Sequence, residues 1–171
     1  MSDEEKICMF CGHRIGNYDF DSVYQAVLDA VRDGYNAFYS GSMGGFDRIC
    51  ESAVIKARES GLPVRLISVR PYHESVHADQ SSRVVDGMLY DEIIIPELKS
   101  SSDMTGGRKR FAAKRAIVER NRWMVTRSER VIAFVYDGRK GGAADTLAFA
   151  RRQSRQIINL AERAAKSESG G

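Results

Sequence analysis

Apolar positions along this chain alternate between two rhythms: short unbroken runs, and longer segments in which they recur with a helical period. Ile7, Cys8, Met9, Phe10 and Cys11 make the first run. Val23, Ala26, Val27, Ala30 and Val31 then share one helix face, from a cap at Asp21 or Ser22 to a stop at Gly34. A second short strand over 37–39 leads into a helix with Ile49, Ala53 and Ala57 on its buried side, which stops near Gly61, Leu62 and Pro63. Strands follow over 64–69 and 92–95, a polar exposed loop over 99–107, and a long helix over 108–127. The run 131–135 is apolar throughout, as in the middle of a covered parallel sheet. A helix carrying Ala144, Leu147 and Ala148 comes next, then an edge strand over 157–160. Strands alternating with helices predict a three-layer, Rossmann-like α/β fold, with a mainly parallel sheet of five to six strands and helices on both faces.

The predicted domain is a single one, 1–165, with a disordered polar tail at 166–171. At 43% hydrophobic and 29% charged residues the composition is that of an ordinary globular protein, and a net charge of +3 does not by itself point to nucleic acid. No stretch has membrane-spanning length and the first residues lack a signal peptide's pattern, so the expected location is cytoplasmic, with no membrane partner. Three cysteines suit a reducing compartment. Cys8 and Cys11 have metal-like spacing, but they lie inside a strand and no second pair completes a zinc site, so no metal and no cofactor is expected. His73 and His77 read as a solvated helix face.

Two strand–glycine–helix turns carry the candidate chemistry. The first is Ser40-Gly41-Ser42-Met43-Gly44-Gly45-Phe46-Asp47 and the second Asp137-Gly138-Arg139-Lys140-Gly141-Gly142. Glycine lets backbone N–H groups approach a phosphate, and a helix N-terminus adds unsatisfied donors. Neither turn has the glycine spacing of a dinucleotide fingerprint or the Gly-Lys-Ser/Thr ending of an ATPase loop. In a parallel sheet, ligands bind beyond the carboxyl ends of the strands. That rule gathers Gly12, His13 and Arg14 after the first strand, both turns, and Arg70 after the third. Asn121, Arg122 and Thr146, in the helices flanking the second turn, complete the ligand set. Asp47 and Arg14 are the catalytic candidates. Between Arg108 and Arg130 nine cations face two acids, a basic stripe for a polyphosphate, a nucleic acid or a partner subunit.

In this order, Cys11-Gly12-His13-Arg14, residues 41–47, Arg120-Asn121-Arg122-Trp123-Met124-Val125, and residues 131–138 followed by Gly141-Gly142 resemble the YpsA-like branch of the SLOG superfamily, over roughly 6–153. The resemblance implies a Rossmann-like fold and a nucleotide or nucleotide-derived ligand, such as an ADP-ribose relative or a nucleoside phosphate, in a homo-oligomer. Lonely-Guy phosphoribohydrolases of that superfamily carry Pro-Gly-Gly-x-Gly-Thr-x-x-Glu. Here Lys140-Gly141-Gly142-Ala143-Ala144-Asp145-Thr146-Leu147-Ala148-Phe149 lacks the proline and places an apolar residue where the glutamate belongs. The leading expectation is therefore binding or sensing of a nucleotide. Nucleotide N-glycosidic hydrolysis is one alternative, and DprA-like single-stranded DNA binding by the basic helix is another.

Overall fold

The computed structural model describes residues 4–72, 84–85, 88–100 and 109–169. Strands β1 (Ile7–Gly12), β2 (Ala37–Ser40) and β3 (Arg65–Val69) alternate with helices α1 (Phe20–Arg32) and α2 (Gly45–Glu59). After β3 come β4 (Val84–Val85), β5 (Met88–Leu89) and β6 (Glu92–Ile94). The chain continues through α3 (Lys109–Arg127), β7 (Arg130–Phe134), α4 (Gly142–Arg152), β8 (Gln156–Asn159) and α5 (Leu160–Ser169). Six strands form one parallel sheet in the order β6-β3-β2-β1-β7-β8, the expected fold class.

The period-2 alternation of the strands builds two cores. Cys8, Phe10, Ile132 and Phe134 face the layer of α1, α2 and α5, while Met9, Cys11, Val131 and Ala133 face α3 and α4. Cys8 and Cys11 thus lie on opposite sides of the sheet, both buried, and burial pushes each thiol up to about 12. Helix α1 starts two to three residues earlier than its sequence suggests, because Asp19 accepts the Ser22 N–H at 3.1 Å and acts as the cap.

Four features differ from the sequence reading. A small antiparallel pair, β4 with β5, stands apart from the main sheet. Ser100, expected in an exposed loop, is buried and donates to Glu119 at 2.6 Å. The last strand ends at Asn159, one residue early. The Asn159 amide pairs with both the N–H and the C=O of Val135 and its Oδ1 also accepts the Ala161 N–H, so the same side chain closes the strand and caps α5. Helix α5 then runs through Ser169, into the segment expected to be a disordered tail. His73 and His77 lie outside the described residues, as do most of 71–91 and residues 101–107 of the 99–107 loop. Among the described residues no helix is long and apolar enough to cross a membrane.

Candidate functional site

Along the sheet, the chain steps outward from β1 through β2 and β3 to β6, then returns to the other side of β1 to place β7 and β8. The direction of winding therefore reverses between β1 and β7, where the flanking helices leave on opposite faces and a crevice opens. A cavity of about 380 Å³ occupies that position. Gly12, His13, Arg14, Gly41, Met43, Asp47, Asn121, Gly141, Gly142 and Thr146 of the predicted ligand set line it. Ser42, Gly44, Gly45, Phe46, Arg70, Arg122, Asp137 and Gly138 do not.

The two glycine turns have different fates. At the first, several backbone donors are already used. Gly45 N–H donates to the Arg14 carbonyl at 2.7 Å, Met43 N–H to Asp47 Oδ2 at 2.9 Å, and Ser42 N–H to the Ser40 hydroxyl at 3.1 Å. The β1–α1 loop sits directly on this turn. A Cβ on Gly44, whose φ is +92°, would come within 2.7 Å of Arg14 Cα, and one on Gly12 within 2.3 Å of Phe46 Cδ1. These glycines serve close packing, and Phe46 is core. The Ser42 hydroxyl is tied into a buried cluster, 2.8 Å from Glu51 Oε1 and 2.8 Å from the Ser68 hydroxyl, with Tyr90 donating to the same carboxyl at 3.0 Å. Gly44 and Gly45 thus lie under the β1–α1 loop at the N-terminus of α2 and do not line the cavity, and the Gly45 amide is bonded within the protein.

The second turn is open. Helix α4 begins after Gly141 without a side-chain cap, and its first backbone bond runs from Asp145 N–H to the Gly141 carbonyl. The N–H groups of residues 142–144 precede that bond and are the helix's spare donors. A Cβ added at Gly141 or Gly142 meets nothing within 4 Å. Arg139 and Lys140 stand exposed on the same rim and line the cavity. Uncompensated amides, the positive end of the helix dipole and two cations thus converge on this rim, an arrangement chemically suited to an anion.

The cavity is also lined by a group that the sequence reading did not place in the ligand set. Arg120 is 2% exposed, and burial pushes its guanidinium down to about 10. Its Nη1 donates to the carbonyls of Gly41 at 2.9 Å and Val69 at 2.7 Å, and its Nε donates to Asn121 Oδ1 at 2.8 Å. Asn121 in turn donates to the Thr146 hydroxyl at 3.2 Å, which donates to the Gly142 carbonyl at 2.8 Å. One chain of bonds thus fixes the end of α4 to Arg120. The available signal was position: Ala112, Ala116 and Met124, at four-residue steps from Arg120, are all buried, so this arginine stands on the inner face of α3. Arg130, also counted in the basic stripe, is buried too and pairs with Asp33 at 2.7 Å. The nine cations therefore do not form one surface.

Asp47 is the single carboxyl among the described residues lining the cavity. Burial pushes its acid up to about 7, against the opposing pull of the Met43 N–H and of Arg120. His13 accepts the Tyr136 N–H on Nε2 at 3.0 Å, which leaves Nδ1 as the protonated nitrogen, and burial with Arg139 nearby lowers its pKa. The remaining predicted residues point elsewhere. Arg122 lies over the Phe149 ring at 5.1 Å, on the outer side of α3, and Arg152 flanks the same ring at 5.7 Å. Phe149 thus carries two cations against its ring, and the residue before it, Ala148, stands where the hydrolase glutamate belongs. Arg70 does not line the cavity: its backbone N–H pairs with the Ile94 carbonyl, while its charge is felt by Arg120 and Tyr90.

This is a doubly wound parallel α/β protein with a crevice at its switch point. Two solved structures share the fold. The DNA processing protein A (DprA) of Streptococcus pneumoniae superposes with a TM-score of 0.55 at 15% identity, covering 91% of this chain and 50% of its own. The DprA of Helicobacter pylori, described as having a unique single-stranded DNA binding mode, gives 0.54 at 18%, covering 91% and 65%. The chain therefore spans half to two-thirds of these proteins, and the likeness is one of fold. No family model and no curated protein matches the chain.

Proposed function

We propose that the protein binds a nucleotide-type small molecule in the switch-point crevice, with a phosphate on the open N-terminus of α4. The observation that carries this reading is the uncapped Gly141–Gly142 end facing a cavity of about 380 Å³, within the roughly 300–1,000 Å³ of small-molecule sites. Arg139 and Lys140 add charge at the mouth, and the Arg120–Asn121–Thr146 chain holds the helix end in place. The YpsA-like branch of the SLOG superfamily is the proposed family setting. Substitution at Gly142 tests the reading, because a side chain fits there without a clash. Nucleoside phosphates are expected to raise the melting temperature of the wild type and of Gly142→Ala, and not of Gly142→Asp, whose carboxylate occupies the anion position. Equal stabilisation of all three proteins refutes the phosphate placement.

A second reading, single-stranded DNA binding, is favoured by the DprA neighbours and by the outer face of α3. Phe111 is 66% exposed there, with Arg110, Lys114 and Arg122 also exposed along the helix. Stacking aromatics among cations suit single strands. It predicts gel retention that weakens steeply with salt and is lost in a Lys114→Glu, Arg122→Glu double variant. No retention at low salt removes it.

A further inference from the structure

The crevice has a second polar end, opposite the anion site, whose hydrogen-bonding capacity is unfilled in a particular way. Asp47 Oδ2 accepts the Met43 N–H at 2.9 Å, and among the described residues no donor reaches Oδ1. Arg120 spends Nη1 and Nε on oxygen acceptors, but the partner of Nη2 is the Met43 thioether sulfur at 3.5 Å. A thioether is a weak acceptor, so Nη2 carries donor capacity that a buried guanidinium is costly to leave unused. Met43 joins the two groups, holding the carboxyl with its amide and meeting the guanidinium with its sulfur. Both residues are more than nine-tenths buried and both line the cavity.

The ligand chemistry that fits follows from counting donors and acceptors. An anion suits Arg120 but meets the Asp47 carboxyl. A cation suits Asp47 but meets the guanidinium. A hydroxyl both donates and accepts, and a vicinal pair of hydroxyls satisfies both groups with no net charge. We propose that Asp47 and Arg120 form a diol subsite, so that the molecule bound is a ribonucleotide whose 2′- and 3′-hydroxyls sit on the cavity floor while its phosphate sits at α4. The assignment rests on the nucleotide reading above and sharpens it, since a DNA strand has no 2′-hydroxyl to offer.

Calorimetric titration at pH 8 tests it, using the four ribonucleoside 5′-monophosphates and, for those that bind, their 2′-deoxy and 3′-deoxy counterparts. At least a tenfold loss of affinity is expected for each deoxy form, because a site built to pair a hydroxyl is left with unpaired groups when it is missing. Asp47→Asn keeps an acceptor for the Met43 N–H but replaces the free oxygen by a donor, and should compress the preference to below threefold. Deoxy forms that bind as tightly as the ribonucleotides overturn the subsite and leave the nucleotide reading standing. Absence of binding by all of the monophosphates overturns both. A full ribose preference in folded Asp47→Asn overturns the role of Asp47. The wild-type comparison decides the matter alone should that variant not fold.

Discussion

Asp47 should make this protein less stable than it needs to be, and the deficit should depend on pH. Its carboxyl rises from an ordinary 3.8 to about 7, chiefly through burial, with Arg120 and Arg14 pulling it down and Glu51 pushing it up. Between those two values the folded protein holds a proton that the unfolded chain has released. Stability from this group is therefore fully present below pH 3.8 and is lost as pH rises through about 7. At about 1.4 kcal/mol per pH unit the ceiling on the loss is about 4 kcal/mol. Access of solvent through the cavity mouth reduces it, and about 2 kcal/mol is the expected effect. Asp47→Asn removes the ionisation and keeps an acceptor for Met43. It should therefore gain on the wild type by about 4–8 °C in melting temperature at pH 8, and by little at pH 4. His13, whose neutral form is the one buried, titrates in the opposite sense: its contribution is lost as pH falls below its ordinary 6.5. It is common to both proteins and drops out of the difference. Thermal melts of the pair from pH 4 to pH 8 are the assay. A difference that does not grow between pH 5 and pH 8 refutes the reasoning.

Three further outcomes follow from the packing of the site. Gly12→Ala drives a Cβ to 2.3 Å from Phe46 Cδ1, and should cost about 1–3 kcal/mol in chemical denaturation, whereas Gly142→Ala should cost under about 1 kcal/mol. Arg120→Gln strands the Gly41 and Val69 carbonyls, and should lower stability by about 2–4 kcal/mol while loosening the α4 end, seen as faster amide exchange at residues 142–144. If the bound nucleotide is cleaved at its glycosidic bond, free base should appear by chromatography and vanish in Asp47→Ala, the lining carboxyl. No base from any nucleotide leaves binding as the activity.

Much of the architecture was legible because both periodicities were clean. Strands such as Val131 to Val135 read as continuous apolar runs, and the Val23, Ala26, Val27 and Ala30 face of α1 is buried as its spacing requires. The position of the crevice was legible too, since the strand-end rule needs only element order. What escaped was set by contacts between distant segments. A run of basic residues suggests a solvated stripe, and nothing local marks Arg120 as the member turned inward except its register with Ala116 and Met124. Likewise Ser42 sits in a loop of small polar residues, yet its φ of +54° is held by Glu51 and Ser68, one in a helix and one in a strand.

The two glycine turns show most plainly why local grammar is not enough. Both follow a parallel strand, both open a helix, and both caps are glycines with φ beyond +90°. What separates them is the neighbour that the topology supplies. Helix α2 leaves β2 beside β1, on the same face as α1, so the loop entering α1 lies across its end. The Arg14 carbonyl takes the first helical amide there, and Tyr18 packs within 2.9 Å of where a Gly45 side chain would begin. Helix α4 leaves β7 across the reversal of winding, on the opposite face, and no loop covers it among the described residues. The first turn bonds the Ser42, Met43 and Gly45 amides to its own chain, whereas at the second the amides of residues 142–144 precede the first helical bond. Sheet order alone thus separates the open helix end from the covered one. It also places Asp47, fixed at the start of the covered helix, in the wall of the same cavity that the open end of α4 lines.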